Sequence, residues 1–216
     1  MLSNFNAFSK VIFEKSFHYL NNIMTDSNVI RNKNESTNFD KVSIFFKNPD
    51  FIIDNIYLGN GYNAANYDLL KKKDIKLVIN ITEELSNYFT NEFDYLQIKI
   101  LDNDNNFITP HLDIFFNKID SFNKKKDGNI LIHCYMGSSR SVSFVIAYLM
   151  KYHKKNYDEA YNFLNAKREN ININIKFIHE IINYFDNINY NKDQKEKCNK
   201  FSKNKLENDK NIIKNI

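Results

Sequence analysis

A chain of 216 residues is long enough for one well-buried domain with sequence to spare, and 43% hydrophobic with 26% charged residues is an ordinary globular composition. Two cysteines cannot build a disulfide framework and no apolar run is long enough to cross a bilayer, so the expected compartment is the cytosol, with the nucleus open to it. A formal charge of +4 does not call for a nucleic-acid partner, and its excess sits in lysine clusters such as Lys71-Lys72-Lys73 and Lys124-Lys125-Lys126 that suit solvated loops.

At the N-terminus, Phe5, Phe8, Ile12, Phe13, Phe17 and Leu20 recur at near-helical spacing. That spacing predicts an amphipathic helix that docks on its own domain, binds a partner or lies on a membrane. Thr25 to Asp40 is polar and patternless and reads as a linker, which makes residues 1–48 an N-terminal extension. From about residue 50 the texture changes. Ile52 to Gly59 reads as two short strands around a polar turn, and Asn66 to Lys73 as a short helix. Lys76 to Ile81 is a nearly continuous apolar run, as a strand buried on both faces requires. Tyr95 to Leu101 is a further strand candidate. Helical periodicity runs from Pro110 to Phe122, with Pro110 suited to the first turn. Asn129 to His133 is short, apolar and β-branched, and an apolar helix from Ser141 to His153 follows a polar loop. Tyr157 to Ala166 and Phe177 to Phe185 read as helices, and residues 188–216 as a mobile polar, lysine- and asparagine-rich tail. Strands alternating with helices predict an α/β domain over residues 49–187, with a mixed, mostly parallel central sheet flanked by helices.

The chemistry concentrates in His133-Cys134-Tyr135-Met136-Gly137-Ser138-Ser139-Arg140-Ser141, where a buried strand ends and a helix begins. A strand-to-helix turn aims backbone N–H groups inward, and the helix N-terminus adds partial positive charge, so the turn suits a tetrahedral dianion. Gly137 lets the backbone curl close, and Arg140 offers a planar two-pronged donor to phosphate oxygens. Cys134 lies at the floor of the same cup, and a thiol at a helix N-terminus beside a cation ionises more readily than a free one. Nucleophile and charge stabilisation therefore come from one loop. A Walker-type nucleotide loop is excluded because no Gly-Lys-Ser/Thr follows the glycine. A zinc site is excluded because no second cysteine or histidine stands at ligand spacing.

These nine residues resemble the His-Cys-x-x-Gly-x-Ser-Arg-Ser loop of the dual-specificity protein phosphatases, within the cysteine-based tyrosine phosphatase group. The likeness extends over about residues 50 to 187: Ile56-Tyr57-Leu58-Gly59 resembles the family's opening strand, Val78 to Thr82 its buried strand, and Val145 to Met150 the helix behind the phosphate loop. The resemblance implies a tyrosine-phosphatase-like fold and hydrolysis of phosphotyrosine, with phosphoserine and phosphothreonine, in a phosphoprotein substrate. It implies a phosphocysteine intermediate on Cys134 and a phosphate cradle of Tyr135, Met136, Gly137, Ser138, Ser139 and Arg140. It also implies a Ser141 hydroxyl that helps the thiolate depart and a His133 that shapes the loop. Neither a metal nor another cofactor is implied.

The family's general acid ends a strand a few residues before a Leu-Pro-His-Phe-like helix start. Ile100-Leu101-Asp102 followed by Thr109-Pro110-His111-Leu112 matches, so Asp102 is the expected acid and Asp104 its reserve. Where the family continues Arg-Pro-x-x-x-Pro-Asn-x-Gly-Phe, this chain keeps Arg168, Asn174 and Phe177 without the prolines and glycine. That register makes Ile171 to Ile175 a connecting loop despite its strand-like alternation, and Arg168 is expected to be structural rather than substrate-binding. With no Trp, the chain lacks the Trp-Pro-Asp acid loop of the larger tyrosine-specific enzymes, which favours a stand-alone, atypical dual-specificity member. A phosphoinositide or RNA 5′ phosphatase of the same fold and a phospho-binding module are the alternatives. The loop has no lysine of the kind common in phosphoinositide-directed relatives. Cys198, in the tail, is expected to be inert.

Overall fold

The computed structural model describes residues 46–188 apart from Lys126. The expected N-terminal helix and linker, the tail beyond residue 188 and Cys198 lie outside the described residues.

Five strands form one sheet: β1 (Asp50–Ile53), β2 (Ile56–Gly59), β3 (Ile75–Asn80), β4 (Asp94–Gln97) and β5 (Asn129–His133), in the spatial order β1-β2-β5-β3-β4. β1 and β2 make an antiparallel hairpin, and its turn places Asp54 in the left-handed region at φ 52°. The other three pairings, β2 with β5, β5 with β3 and β3 with β4, are parallel, so the sheet is mixed and mostly parallel. Six helices accompany it among the described residues: α1 (Gly61–Ala64), α2 (Tyr67–Lys72), α3 (Thr109–Asn123), α4 (Arg140–Tyr152), α5 (Tyr157–Asn165) and α6 (residues 175–188).

The middles of the central strands, Leu77 to Ile79 and Ile130 to Ile132, are apolar because both faces are covered. Ile130 and Ile132 of β5 join Leu77 and Ile79 of β3 in the larger core, beneath Phe115 and Phe116 of α3 and Phe144 to Leu149 of α4. Leu131 and Val78 point the other way, into a smaller core with Ala64, Leu70 and Phe93. The first ten residues of α4 are all buried, since the helix lies across the sheet with other helices beside it. Phe144 meets Phe115 edge to face, with ring centroids 5.0 Å apart. No helix among the described residues is long and apolar enough to cross a membrane.

Three elements differ from the sequence reading. β4 stops at Gln97 and does not reach Leu101. Beyond Gln97 the Ile98 amide still reaches the carbonyl of Asn80, the last residue of β3, and the neighbouring strand then runs out. Ile98 and Ile100 remain buried, which is why the alternation outlasts the ladder. The one-turn helix α1 is too short to register as a period and is set by a capping box between Asn60 and Asn63. α6 begins two residues before Phe177 and ends beyond Phe185, while residues 171–174 are irregular. Ile171 and Ile173 are half-buried against the core, so the alternation there reports one-sided packing without a strand partner.

Candidate active site

β5 ends in the middle of the sheet, and the loop that follows it, residues 134–139, leads straight into the N-terminus of α4. The loop is fastened from three sides. The Gly61 amide donates to the Tyr135 carbonyl at 3.0 Å, the Asn172 amide to the Ser138 carbonyl at 3.0 Å, and Arg168 Nε to the Gly137 carbonyl at 2.7 Å. Arg168 also pairs with Asp50 on β1 and so ties the loop to the sheet edge. Gly137 sits at φ +73°, and a Cβ there would lie 2.5 Å from the Gly59 carbonyl oxygen. The Gly59 backbone and the Arg168 guanidinium together leave no room for a side chain.

Cys134 is 1% exposed, and its sulfur accepts from two donors, the Gly137 amide and the Ser141 hydroxyl, each at 3.2 Å. His133, just before it, is fully enclosed, and burial lowers its pKa to about 4. Its Nδ1 lies 3.3 Å from the Cys134 carbonyl oxygen, which can only accept, so a neutral ring carries its proton on Nδ1.

Arg140 is almost wholly buried, with 6% of its side chain exposed. Nη1 donates to Glu84 Oε2 at 2.9 Å and to the Ile100 carbonyl at 2.9 Å, and Nη2 donates to Glu84 Oε1 at 2.6 Å. Nε is buried with no hydrogen-bond partner, and Asp102 Oδ2 stands 3.7 Å from it, too far for one. The other Asp102 oxygen accepts from the Ser139 hydroxyl at 3.0 Å, and the Ser139 oxygen in turn accepts the Asn174 amide at 3.1 Å. Of the expected cradle, Gly137, Ser139 and Arg140 are buried, while Tyr135, Met136 and Ser138 are half-buried. Asp104, the reserve acid, faces elsewhere: its carboxylate accepts from the Asn174 side chain at 3.3 Å and its carbonyl from Lys176 Nζ at 2.6 Å.

Sequence reading missed Glu84. It lies two residues beyond the Val78–Thr82 match, in a turn organised by Asn80, which is itself fully buried. The Asn80 amide nitrogen donates to the Leu85 carbonyl at 2.9 Å and to Asn87, and its oxygen accepts from the Thr82 hydroxyl at 2.6 Å. A buried Asn ending an apolar strand was the available signal that the following turn is built and not merely solvated. Also missed was Glu180 on α6, whose Oε2 accepts the Ile108 amide, the Thr109 amide and the Thr109 hydroxyl at 2.8, 2.9 and 3.0 Å.

A sulfur beneath donors, a buried guanidinium with an unused edge and a carboxylate across from it can bind and cleave a phosphate monoester. Comparison with known proteins agrees with that class. The family model for the dual specificity phosphatase catalytic domain matches residues 56–187, a span that holds every side chain just described except Asp50. Dual specificity protein phosphatase 14 of Mus musculus is 38% identical over 133 residues, covering 62% of this chain and 67% of that protein. Protein phosphatase Slingshot of Drosophila melanogaster is 32% identical over 136 residues, 63% of this chain but only 13% of the relative, so the likeness there is to one domain of a far longer protein. Among solved structures, the human tyrosine phosphatase-like serine/threonine/tyrosine-interacting protein superposes with a TM-score of 0.60 at 29% identity, covering 63% of this chain and 94% of that one. The chain belongs to the dual-specificity phosphatase family, within the cysteine-based tyrosine phosphatase superfamily.

Proposed function

We propose that the protein hydrolyses phosphotyrosine, and phosphoserine or phosphothreonine, in protein substrates through a phosphocysteine intermediate. The observation that carries the reading is the state of Arg140. A guanidinium has five N–H donors, and three here are spent on Glu84 and Ile100. The two that remain, on Nε and Nη2, share one edge, and that edge matches two oxygens of a phosphoryl group. A buried donor left idle is costly unless a ligand completes it, so the edge is best understood as reserved for an anion.

In the first step the Cys134 thiolate attacks phosphorus in line. The S–P bond forms, the P–O bond to the side-chain oxygen breaks, and Asp102 gives that oxygen its proton. In the second step Asp102, now a carboxylate, takes a proton from water. The water oxygen attacks phosphorus, the S–P bond breaks, and the Ser141 hydroxyl stabilises the departing thiolate. Arg140 holds the equatorial oxygens through both steps. Cytosolic residence, with access to the nucleus, fits the same reading.

The test uses the purified chain with phosphotyrosyl and phosphothreonyl peptides. Cys134→Ser is expected to abolish turnover and leave phosphopeptide binding in place. Asp102→Ala is expected to lower kcat by about 10² to 10⁴-fold. Normal turnover of an aryl phosphate by Cys134→Ser would refute the mechanism.

A further inference from the structure

The segment that follows Arg168 grips the stretch bearing Asp102 at successive points. The Asn174 amide donates to Ser139, whose hydroxyl holds the Asp102 carboxylate. The Asn174 side chain and Lys176 Nζ both bind Asp104, and Lys176 Nζ also stands 3.4 Å from the centre of the Phe107 ring. One helical turn further on, Glu180 Oε2 gathers the Ile108 and Thr109 amides and the Thr109 hydroxyl.

Those last contacts fall where the acid-bearing loop enters α3. The helix has no cap of its own, because its N-cap position is Ile108, which offers no side-chain acceptor. Glu180 supplies from another helix the acceptor and negative charge that a helix N-terminus needs. Its second oxygen, Oε1, is buried without a partner. A carboxylate kept there bears a desolvation cost that a surface helix could avoid by turning the side chain outward. At the other root of the loop, the Ile100 carbonyl is held by Arg140.

We propose that Glu180 is a positioning residue for the general acid: by capping α3 it fixes the far root of the loop and holds the Asp102 carboxyl over the phosphate cup. The proposal rests on Asp102 being the acid. It assigns Glu180 no contact with substrate.

General-acid help matters in proportion to how poor the leaving group is. The test therefore measures kcat for the full chain on aryl phosphates graded from good to poor leaving groups. It compares wild type, Glu180→Ala, Glu180→Gln, Asp102→Asn and the Asp102→Asn/Glu180→Ala double variant. Glu180→Ala is expected to stay within about twofold of wild type on the best leaving group and to fall by about tenfold or more on phenyl phosphate. Glu180→Gln keeps an acceptor oxygen and is expected to recover much of that loss. In the Asp102→Asn background the Glu180 change is expected to add little, because the two act through one proton.

An equal loss across the series, or full additivity with Asp102→Asn, would mean damage to the phosphate cup or to the fold and would overturn the proposal. A series left flat by Asp102→Asn itself would instead remove the acid role from Asp102, and the Glu180 assignment would fall with it. Should Glu180→Ala not fold, Thr109→Val deletes one of the three contacts. It is expected to steepen the series in the same direction but less, and no steepening would overturn the proposal.

Discussion

Glu84 accepts both terminal nitrogens of Arg140, at 2.6 and 2.9 Å, from a position one third exposed to solvent. The pair occupies the two terminal nitrogens and leaves Nε without a hydrogen bond, so Glu84 sets the orientation of the guanidinium. Glu84→Ala would leave the buried cation held only by the Ile100 carbonyl and the more distant Asp102 carboxylate. We expect urea denaturation to show a loss of about 2 kcal/mol, below the usual figure for a broken buried pair because Glu84 is partly hydrated. kcat/KM for an aryl phosphate should fall by about tenfold or more, since misaligned donors forfeit orientation. Unchanged kcat/KM would detach Glu84 from anion recognition. At this scale the sequence was informative where a role depends on near neighbours. Cys134, Gly137, Arg140 and Ser141 lie on one loop and the first turn of α4, and their spacing alone implies their meeting. Glu84 meets Arg140 across 56 residues and Glu180 meets Thr109 across 71, and no local pattern distinguishes either from an ordinary surface carboxylate.

Elements were legible when burial imposed a period. β3, β5, α3 and α4 declare themselves through apolar runs or helical repeats, because the two strands present a face to each core and the two helices a face to the larger one. The limits of β4 and the one-turn helix α1 were not, since one is set by where a neighbouring strand ends and the other by a side-chain capping box. The turn after β3 belongs with them. Asn80, Thr82, Leu85, Asn87 and Gln97 share a hydrogen-bond network that carries Glu84 to the site. Asn80→Ala would strip the Thr82 hydroxyl of the nearer of its two acceptors and the Leu85 carbonyl of one of its donors. The expected cost is about 2 to 3 kcal/mol in denaturation experiments. Amides in residues 81–87 should exchange hydrogen markedly faster while those of β5 do not, because the damage is confined to the turn. Protection unchanged in that turn would show that Asn80 does not organise it.

At the scale of the whole molecule, the parallel pairings on either side of β5 set the Cys134 loop at the middle of the sheet, with both faces covered. The same burial encloses His133, whose imidazolium would have to exist without water beside a guanidinium. Burial is the main cause of its lowered pKa; the Cys134 carbonyl opposes the shift, Arg140 adds to it, and Glu84 opposes it more weakly. The sign of the pH dependence follows. Between the ordinary value of 6.5 and the folded value of about 4 the unfolded chain binds a proton that the folded chain refuses, so stability rises with pH across that window and is lost as pH falls through it. Between pH 7 and pH 5 this one ring should cost about 2 kcal/mol of folding stability, while most carboxylates are still ionised. Urea denaturation of wild type and His133→Gln at the two pH values measures it: the variant is expected to lose less stability on acidification by roughly that amount. The ring Cε1 proton of His133, followed by NMR, should keep its neutral chemical shift at pH 5. A midpoint near that of a free histidine would mean that water reaches the ring, and with it the floor of the phosphate cup.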